Sequence, residues 1–249
     1  MKSGGLDDIL YGALKMRQPE EGTGPRVNVD TVLLADYARF AESSKVMEMG
    51  CAHGAISLIL AKRMLASARP GKFQPIEGID INPELVGMAR ENAVLNGLWD
   101  RVSFDAVDLR EHRSRYRAGT YDAVIMNPPY DEPGKSRRSA NESVSAAMHG
   151  DLCTLRDVAA AAKYLLRNGG SLFLVIRAKR LGELAFILHE HNVKVKRIRA
   201  VHPKPDREAS VVLVKAVRAS GDGVIVEPPM FIYGEDGEYT ERLLAAYRI

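Results

Sequence analysis

Between Lys45 and Ile176 short apolar runs alternate with amphipathic stretches. Such alternation constrains the fold more than any other feature of the chain, because parallel strands need crossover connections and helices supply them. Val46 to Met49 reads as a first strand and Ala55 to Met64 as its helix. Pro75 to Ile79 gives a second strand ending at Asp80, followed by a helix with Pro83 near its first turn and a stop at Asn96-Gly97. Val102 to Phe104 and Tyr121 to Met126 are the third and fourth strands. Pro128 and Pro129 end the fourth, since proline cannot donate to a ladder.

Residues Asp131 to Gly150 have almost no large apolar side chain and read as a long surface loop, the kind that is functional or mobile in a compact domain. Asp151 is the expected cap of a helix through Leu166, with Asn168-Gly169-Gly170 as its stop and Ser171 to Ile176 as a fifth strand. Arg180 to His191 is helical in pattern. Val193 to Val201 and Ser210 to Val217 form an expected antiparallel hairpin turned at Pro203 and Pro205. Short strands at Val224 to Val226 and Met230 to Tyr233 and a helix near Tyr239 to Tyr247 complete the tail. At the other end, Leu6 to Arg26 reads as irregular, and Asp30 as the N-cap of a helix from Thr31 to Phe40.

A chain of 249 residues buries a substantial core without staples, and none of its apolar runs is long enough to span a bilayer. Cys51 and Cys153 give neither metal-ligand nor disulfide-module spacing, so reduced thiols and no metal are expected. The first ten residues carry Asp7 and Asp8 and lack a signal-peptide core, which makes the cytoplasm the expected compartment. A net charge of +3 permits a polyanionic partner without requiring one. Lys135, Arg137 and Arg138 form one basic cluster. Lys194, Lys196, Arg197, Arg199, Lys204 and Arg207 form another, and either taken alone is explained as well by a solvated face.

Chemistry concentrates at the strand ends. Glu48-Met49-Gly50-Cys51-Ala52-His53-Gly54 lies between the first strand and its helix. Small residues at Gly50, Ala52 and Gly54 let backbone amides approach a ligand, and Glu48 can receive an amino group. The turn alone is weak evidence, because glycine-rich turns also bind nucleotides or bind nothing; a Walker pattern is absent. Asp80, with Ile81 beside it, stands where an acidic residue reaches a ribose hydroxyl pair. A capping carboxylate is the plain alternative there, and Asn82 could cap that helix instead. Asp108, followed by Leu109, could accept from an adenine amino group while Ala106 and Val107 flank the ring; an exposed loop aspartate is the alternative.

Asn127-Pro128-Pro129-Tyr130 follows the fourth strand, at the edge where open α/β sheets bind ligands. With Glu48, Gly50, Gly54 and Asp80 in register, the chain resembles the class I, Rossmann-like methyltransferases that modify amino nitrogens. That resemblance implies a mostly parallel seven-stranded sheet with an antiparallel C-terminal hairpin and helices on both faces, and S-adenosylmethionine as cofactor. It also implies one domain over residues 1–249: an N-terminal extension 1–44, a cofactor-binding and catalytic core 45–217, and an appendage 218–249. A conjugated NH2 is a poor nucleophile, so orientation matters more than basicity. The Asn127 oxygen and the Pro128 carbonyl can each accept one amine hydrogen and turn the nitrogen lone pair toward the methyl group. Pro129 stiffens the turn, and Tyr130 offers a stacking face. No general base is evident.

From about Leu6 to Tyr247 the sequence is similar to the bacterial tRNA(Val) adenine-N6 methyltransferase family. The likeness includes Arg26-Val27-Asn28-Val29-Asp30-Thr31-Val32-Leu33-Leu34-Ala35, Leu165 to Ser171 and Val201-His202-Pro203. It implies a tRNA substrate and places Asp30 near the methionine portion of the cofactor, although a helix cap explains Asp30 equally well. Lys135, Arg137 and Arg138 follow the catalytic turn, where cations meet phosphates beside an extruded base. Two departures stand out. Ala52 replaces the usual middle glycine, which is tolerated if its backbone angles are ordinary. His53 fills a position often small or polar, either contacting the methionine end of the cofactor or simply packing. Transfer to a protein glutamine amide or a guanine N2 amine uses the same four-residue motif, and the basic clusters favour RNA. A non-catalytic RNA-binding module would be expected to lack Asn127, and a dinucleotide oxidoreductase has no use for Asn-Pro-Pro-Tyr.

Overall fold

The computed structural model describes residues 3–66, 74–128 and 153–249. Two strands, β1 (Ser3–Ile9) and β2 (Leu14–Pro19), form an antiparallel hairpin. The region expected to be irregular is therefore ordered. Its turn places Leu10, Tyr11 and Gly12 consecutively in left-handed backbone, and no Asn-Gly or Asp-Gly pair advertises that geometry in the sequence. Leu14 and Met16 are fully buried while Lys15 and Arg17 are not, the alternation of a half-buried strand.

Helix α1 (Val29–Tyr37) starts one residue after its cap, which is Asn28 and not Asp30. Asn28 Oδ1 accepts from the Thr31 N–H at 3.0 Å while Thr31 Oγ1 accepts from the Asn28 N–H, a reciprocal pair that Asp30 cannot make from the first turn. The βα units follow as the periodicity predicts. They are β3 (Val46–Met49), α2 (Ala55–Ala66), β4 (Ile76–Asp80), α3 (Pro83–Leu95), β5 (Val102–Ala106) and β6 (Tyr121–Met126). Asn82 caps α3 by accepting from the Glu84 and Leu85 N–H groups, with Pro83 in the first turn. A 3-10 turn (Leu109–Glu111) and the short helix α4 (His112–Arg115) lie between β5 and β6.

Helix α5 (Leu155–Leu165) is capped by Thr154, whose side chain accepts from the Asp157 N–H. The Asp131–Gly150 loop and the proposed Asp151 cap lie outside the described residues. The helix ends before Asn168-Gly169-Gly170, which sits inside the long strand β7 (Leu166–Arg177) as an irregularity in its pairing with β6. Helix α6 (Leu181–Glu190) leads to the antiparallel pair β8 (Val193–His202) and β9 (Val211–Arg218). Short strands β10 (Ile225–Val226) and β11 (Met230–Phe231) both add parallel to β8, and α7 (Glu241–Ala246) closes the described chain.

The main sheet runs β10-β8-β9-β7-β6-β3-β4-β5, with β11 also on β8. Only β9 opposes the direction of the others. Seven long strands thus carry the expected mixed sheet, extended by two two-residue strands. Its faces bury separate cores. Phe173 and Val175 of β7 pack with Val32 of α1, Leu58 of α2, Val86 of α3 and Ala246 of α7. Leu172, Leu174 and Ile176 face Val158 and Leu165 of α5 and Leu184 of α6. The period-two split of one strand between two helical layers is what fixes helices on both faces. In parallel strands all carboxyl ends lie on one edge, so Met49, Asp80, Ala106 and Met126 deliver the residues after them to the same side.

Candidate active site at the carboxyl edge of the sheet

The turn from β3 into α2 runs through three left-handed residues, Gly50 (φ +69°), Ala52 (φ +48°) and Gly54 (φ +88°). Ala52 is thus not in ordinary backbone, and its Cβ is held at a cost of about 1–2 kcal/mol. Asp80 at the end of β4 braces it: Oδ2 accepts from the Ala52 N–H and Oδ1 from the Asn82 N–H, each at 2.9 Å. Ile81 beside it is 44% exposed, an apolar side chain open to solvent at this edge.

Glu48 is buried beneath the turn. Its Oε2 accepts from the Ser57 N–H at 2.9 Å and the Ser57 hydroxyl at 2.5 Å, tying β3 to the first turns of α2. Burial pushes its carboxyl up to about pH 8, against the opposing pull of the Ser57 hydrogen bonds. His53 is only 3% exposed, and neither ring nitrogen has a hydrogen-bond partner among the described residues. Burial, with Arg26 adding its charge, holds the imidazole neutral down to about pH 4. Asn92, fully buried on α3, donates to the carbonyls of both His53 and Arg17 and accepts from the Arg17 N–H. It links the N-terminal hairpin to the turn. Sequence reasoning missed Asn92 and Ser57; the signal available was a polar residue on the apolar face of each helix.

Asp108 caps the 3-10 turn through the Arg110 N–H, and the Arg110 guanidinium grips both its oxygens at 2.7 to 3.0 Å. Those hydrogen bonds hold its carboxyl below the usual range. Leu109 and Val107 beside it are buried, and Ala106 is exposed. Asp30 lies in the first turn of α1, half-buried.

Asn127 and the buried Pro128 follow β6 directly. The Asn127 side-chain oxygen is buried and has no hydrogen-bond partner among the described residues. Such an oxygen costs about 1–3 kcal/mol unless something donates to it. Pro129, Tyr130, Lys135, Arg137 and Arg138 lie outside the described residues. In the second basic cluster Lys194 pairs with Asp222, Lys196 donates to the Gly221 and Asp222 carbonyls, and Arg197 and Arg199 meet Glu227. Among the described residues there is no group of three or more potential metal ligands, and no helix is long and apolar enough to cross a membrane.

A family described as "Methyltransferase small domain" matches residues 24–201. The tRNA1(Val) (adenine(37)-N6)-methyltransferase of Aeromonas hydrophila is 27% identical over 219 residues, covering 88% of this chain and 87% of that protein. Its namesake from Serratia proteamaculans is 28% identical over 220 residues, 87% of this chain and 79% of that one. Among solved structures, a predicted O-methyltransferase from Agrobacterium tumefaciens superposes with a TM-score of 0.68 over 88% of this chain and 97% of its own. At 20% identity that likeness speaks to fold alone.

Proposed function

The chain belongs to the methyltransferase small domain family, and from that premise we propose that it transfers a methyl group from S-adenosylmethionine to the exocyclic N6 amine of an adenine in tRNA. The acceptor follows the names of its relatives, which align over most of both chains. The observation that carries the reading is the buried, unpartnered oxygen of Asn127 at the carboxyl edge. An NH2 donor would satisfy it, and a conjugated amine presents one.

The residues present fit the cofactor. The left-handed turn at Gly50, Ala52 and Gly54 offers a backbone with little side-chain bulk for close approach, its shape fixed by the Ala52 N–H on Asp80 and the Gly54 N–H on the Cys51 carbonyl. Asp80, fixed at the end of β4, is assigned to the ribose, Ile81 offers an apolar surface to an adenine ring, and Asp108 with Leu109 is assigned to the same side. Glu48 and Asp30 are assigned to the methionine end. An ammonium beside Glu48 would draw its carboxyl back toward ionisation. When bound, the cofactor supplies a methyl group on a positively charged sulfur.

The chain itself orients the acceptor. Asn127 Oδ1 accepts one amine hydrogen and the Pro128 carbonyl the other, which turns the nitrogen lone pair out of conjugation and toward the methyl group. Pro129 and Tyr130 are assigned to shaping and stacking the base, and Lys135, Arg137 and Arg138 to neighbouring phosphates. Asn127→Ala tests this division of labour. S-adenosylhomocysteine affinity should stay within about twofold, while turnover falls by about 100-fold or more. Unchanged turnover would remove Asn127 from the reaction.

A further inference from the structure

Where α1 and α7 meet the outer strands, a cavity of about 220 Å³ opens on the face opposite α5 and α6. Five cationic side chains line it: Arg39, Arg197, Arg199, Lys215 and Arg242. Two carboxylates face them. Asp36 takes Arg39 at 2.9 Å and Arg242 at 2.7 Å, and Glu227 takes Arg197 at 3.2 Å and Arg199 at 2.9 Å. Each carboxylate therefore already holds two guanidinium groups. Lys215 has no carboxylate partner among the described residues, its ammonium lying 5.6 Å from the Phe173 ring centre. The cavity carries three positive charges more than its carboxylates balance.

Three buried atoms in it, two donors and one acceptor, are unsatisfied among the described residues. Arg199 Nε and Tyr37 Oη have no hydrogen-bond acceptor among the described residues, although Tyr37 is only 9% exposed, and Glu227 Oε2 beside them is held by the Arg199 ion pair at 2.9 Å without a hydrogen bond of good geometry. The Arg199 guanidinium stacks 5.6 Å from the Tyr37 ring centre, which brings the two residues together on one wall. Natural proteins rarely bury donors without acceptors, and surplus positive charge beside such donors calls for an oxygen-rich anion. The space holds several water volumes of about 30 Å³, ample for a tetrahedral oxyanion.

We propose that this cavity is a phosphate-binding site, in which Arg199 Nε and Tyr37 Oη donate to the bound oxygens and Lys215 balances their charge. The phosphate comes either from an RNA backbone or from a free phosphate compound. Only the RNA source rests on the tRNA reading above; the anion site does not.

The test titrates inorganic phosphate into the full chain by calorimetry, with chloride at matched ionic strength as reference. Tyr37→Phe keeps the ring stack and removes only the hydroxyl, and Lys215→Gln removes only the charge. Each should weaken phosphate binding by about 10-fold or more, as expected for a charge-assisted hydrogen bond. The same variants are then compared for total tRNA binding against salt concentration. A salt slope reduced by about 1 in Lys215→Gln assigns the site to RNA backbone phosphate. Lost phosphate binding with the parent slope assigns it to a free phosphate compound. Parent protein that binds phosphate no better than chloride, with tRNA slopes equal in all three proteins, overturns the proposal whether or not tRNA is methylated.

Discussion

Asp80 accepts the backbone N–H of Ala52 at 2.9 Å, and in doing so braces an alanine in left-handed backbone at φ +48°. An L side chain there costs about 1–2 kcal/mol, while glycine in its place gives back about 0.4–1 kcal/mol through greater freedom of the unfolded chain. Ala52→Gly should therefore raise stability by up to about 1.5 kcal/mol in urea unfolding. A loss of that size instead would mean that the Ala52 methyl group packs productively in the turn.

Gly54, two residues on, is constrained by space as well as angle. A Cβ there would lie 2.9 Å from the Phe104 ring and 3.1 Å from the Ala89 Cβ, at φ +88°. Gly54→Ala should cost about 2–4 kcal/mol, combining left-handed strain with overpacking. Thermal unfolding reads this directly, and a cost under about 1 kcal/mol would show that α3 yields to the new methyl group.

Glu48 and His53 should give the fold opposite pH limbs. Burial raises the Glu48 carboxyl from 4.5 to about 8, so its stabilising protonated form is complete below 4.5 and lost as pH rises through 8. Burial lowers the His53 imidazole from 6.5 to about 4, so its stabilising neutral form is complete above 6.5 and lost as pH falls through 4. Between pH 6.5 and 8 the Glu48 effect stands alone. Glu48→Gln should flatten the decline in stability across that window, at about 1.4 kcal/mol for each pKa unit removed, and His53→Gln should flatten the acid limb. Urea midpoints measured from pH 4 to pH 9 decide it. An alkaline limb that survives Glu48→Gln would place its origin in another group.

The succession of strands and helices was legible because each strand from Val46 to Met126 is a short apolar run and α3 carries its own start signal in Asn82-Pro83. Helix caps were less so. Asn28 and Asp30 are both good cap residues, and only the reciprocal bond from Thr31 selects the first. The N-terminal hairpin was missed because its turn depends on Leu10 and Tyr11 in left-handed backbone, which sequence does not favour.

That Asn127, Asp80 and the glycine turn share one edge was legible because each follows or ends a parallel strand. Asp108 was read as a ligand acceptor, and its grip by Arg110 could not be read from chain order alone. The cationic cavity was hidden for a different reason. Asp36 and Arg242 are 206 residues apart, and Glu227 meets β8 only after the tail has returned to the sheet edge.

The most direct measurement of the proposed activity incubates the purified chain with radiolabelled S-adenosylmethionine and total bacterial tRNA, then digests the RNA to nucleosides. The expected label is in N6-methyladenosine, abolished or reduced by about 100-fold or more in Asn127→Ala. Label confined to a guanosine derivative would contradict the adenine acceptor, and RNA left unlabelled beside labelled protein glutamine would contradict RNA as the substrate.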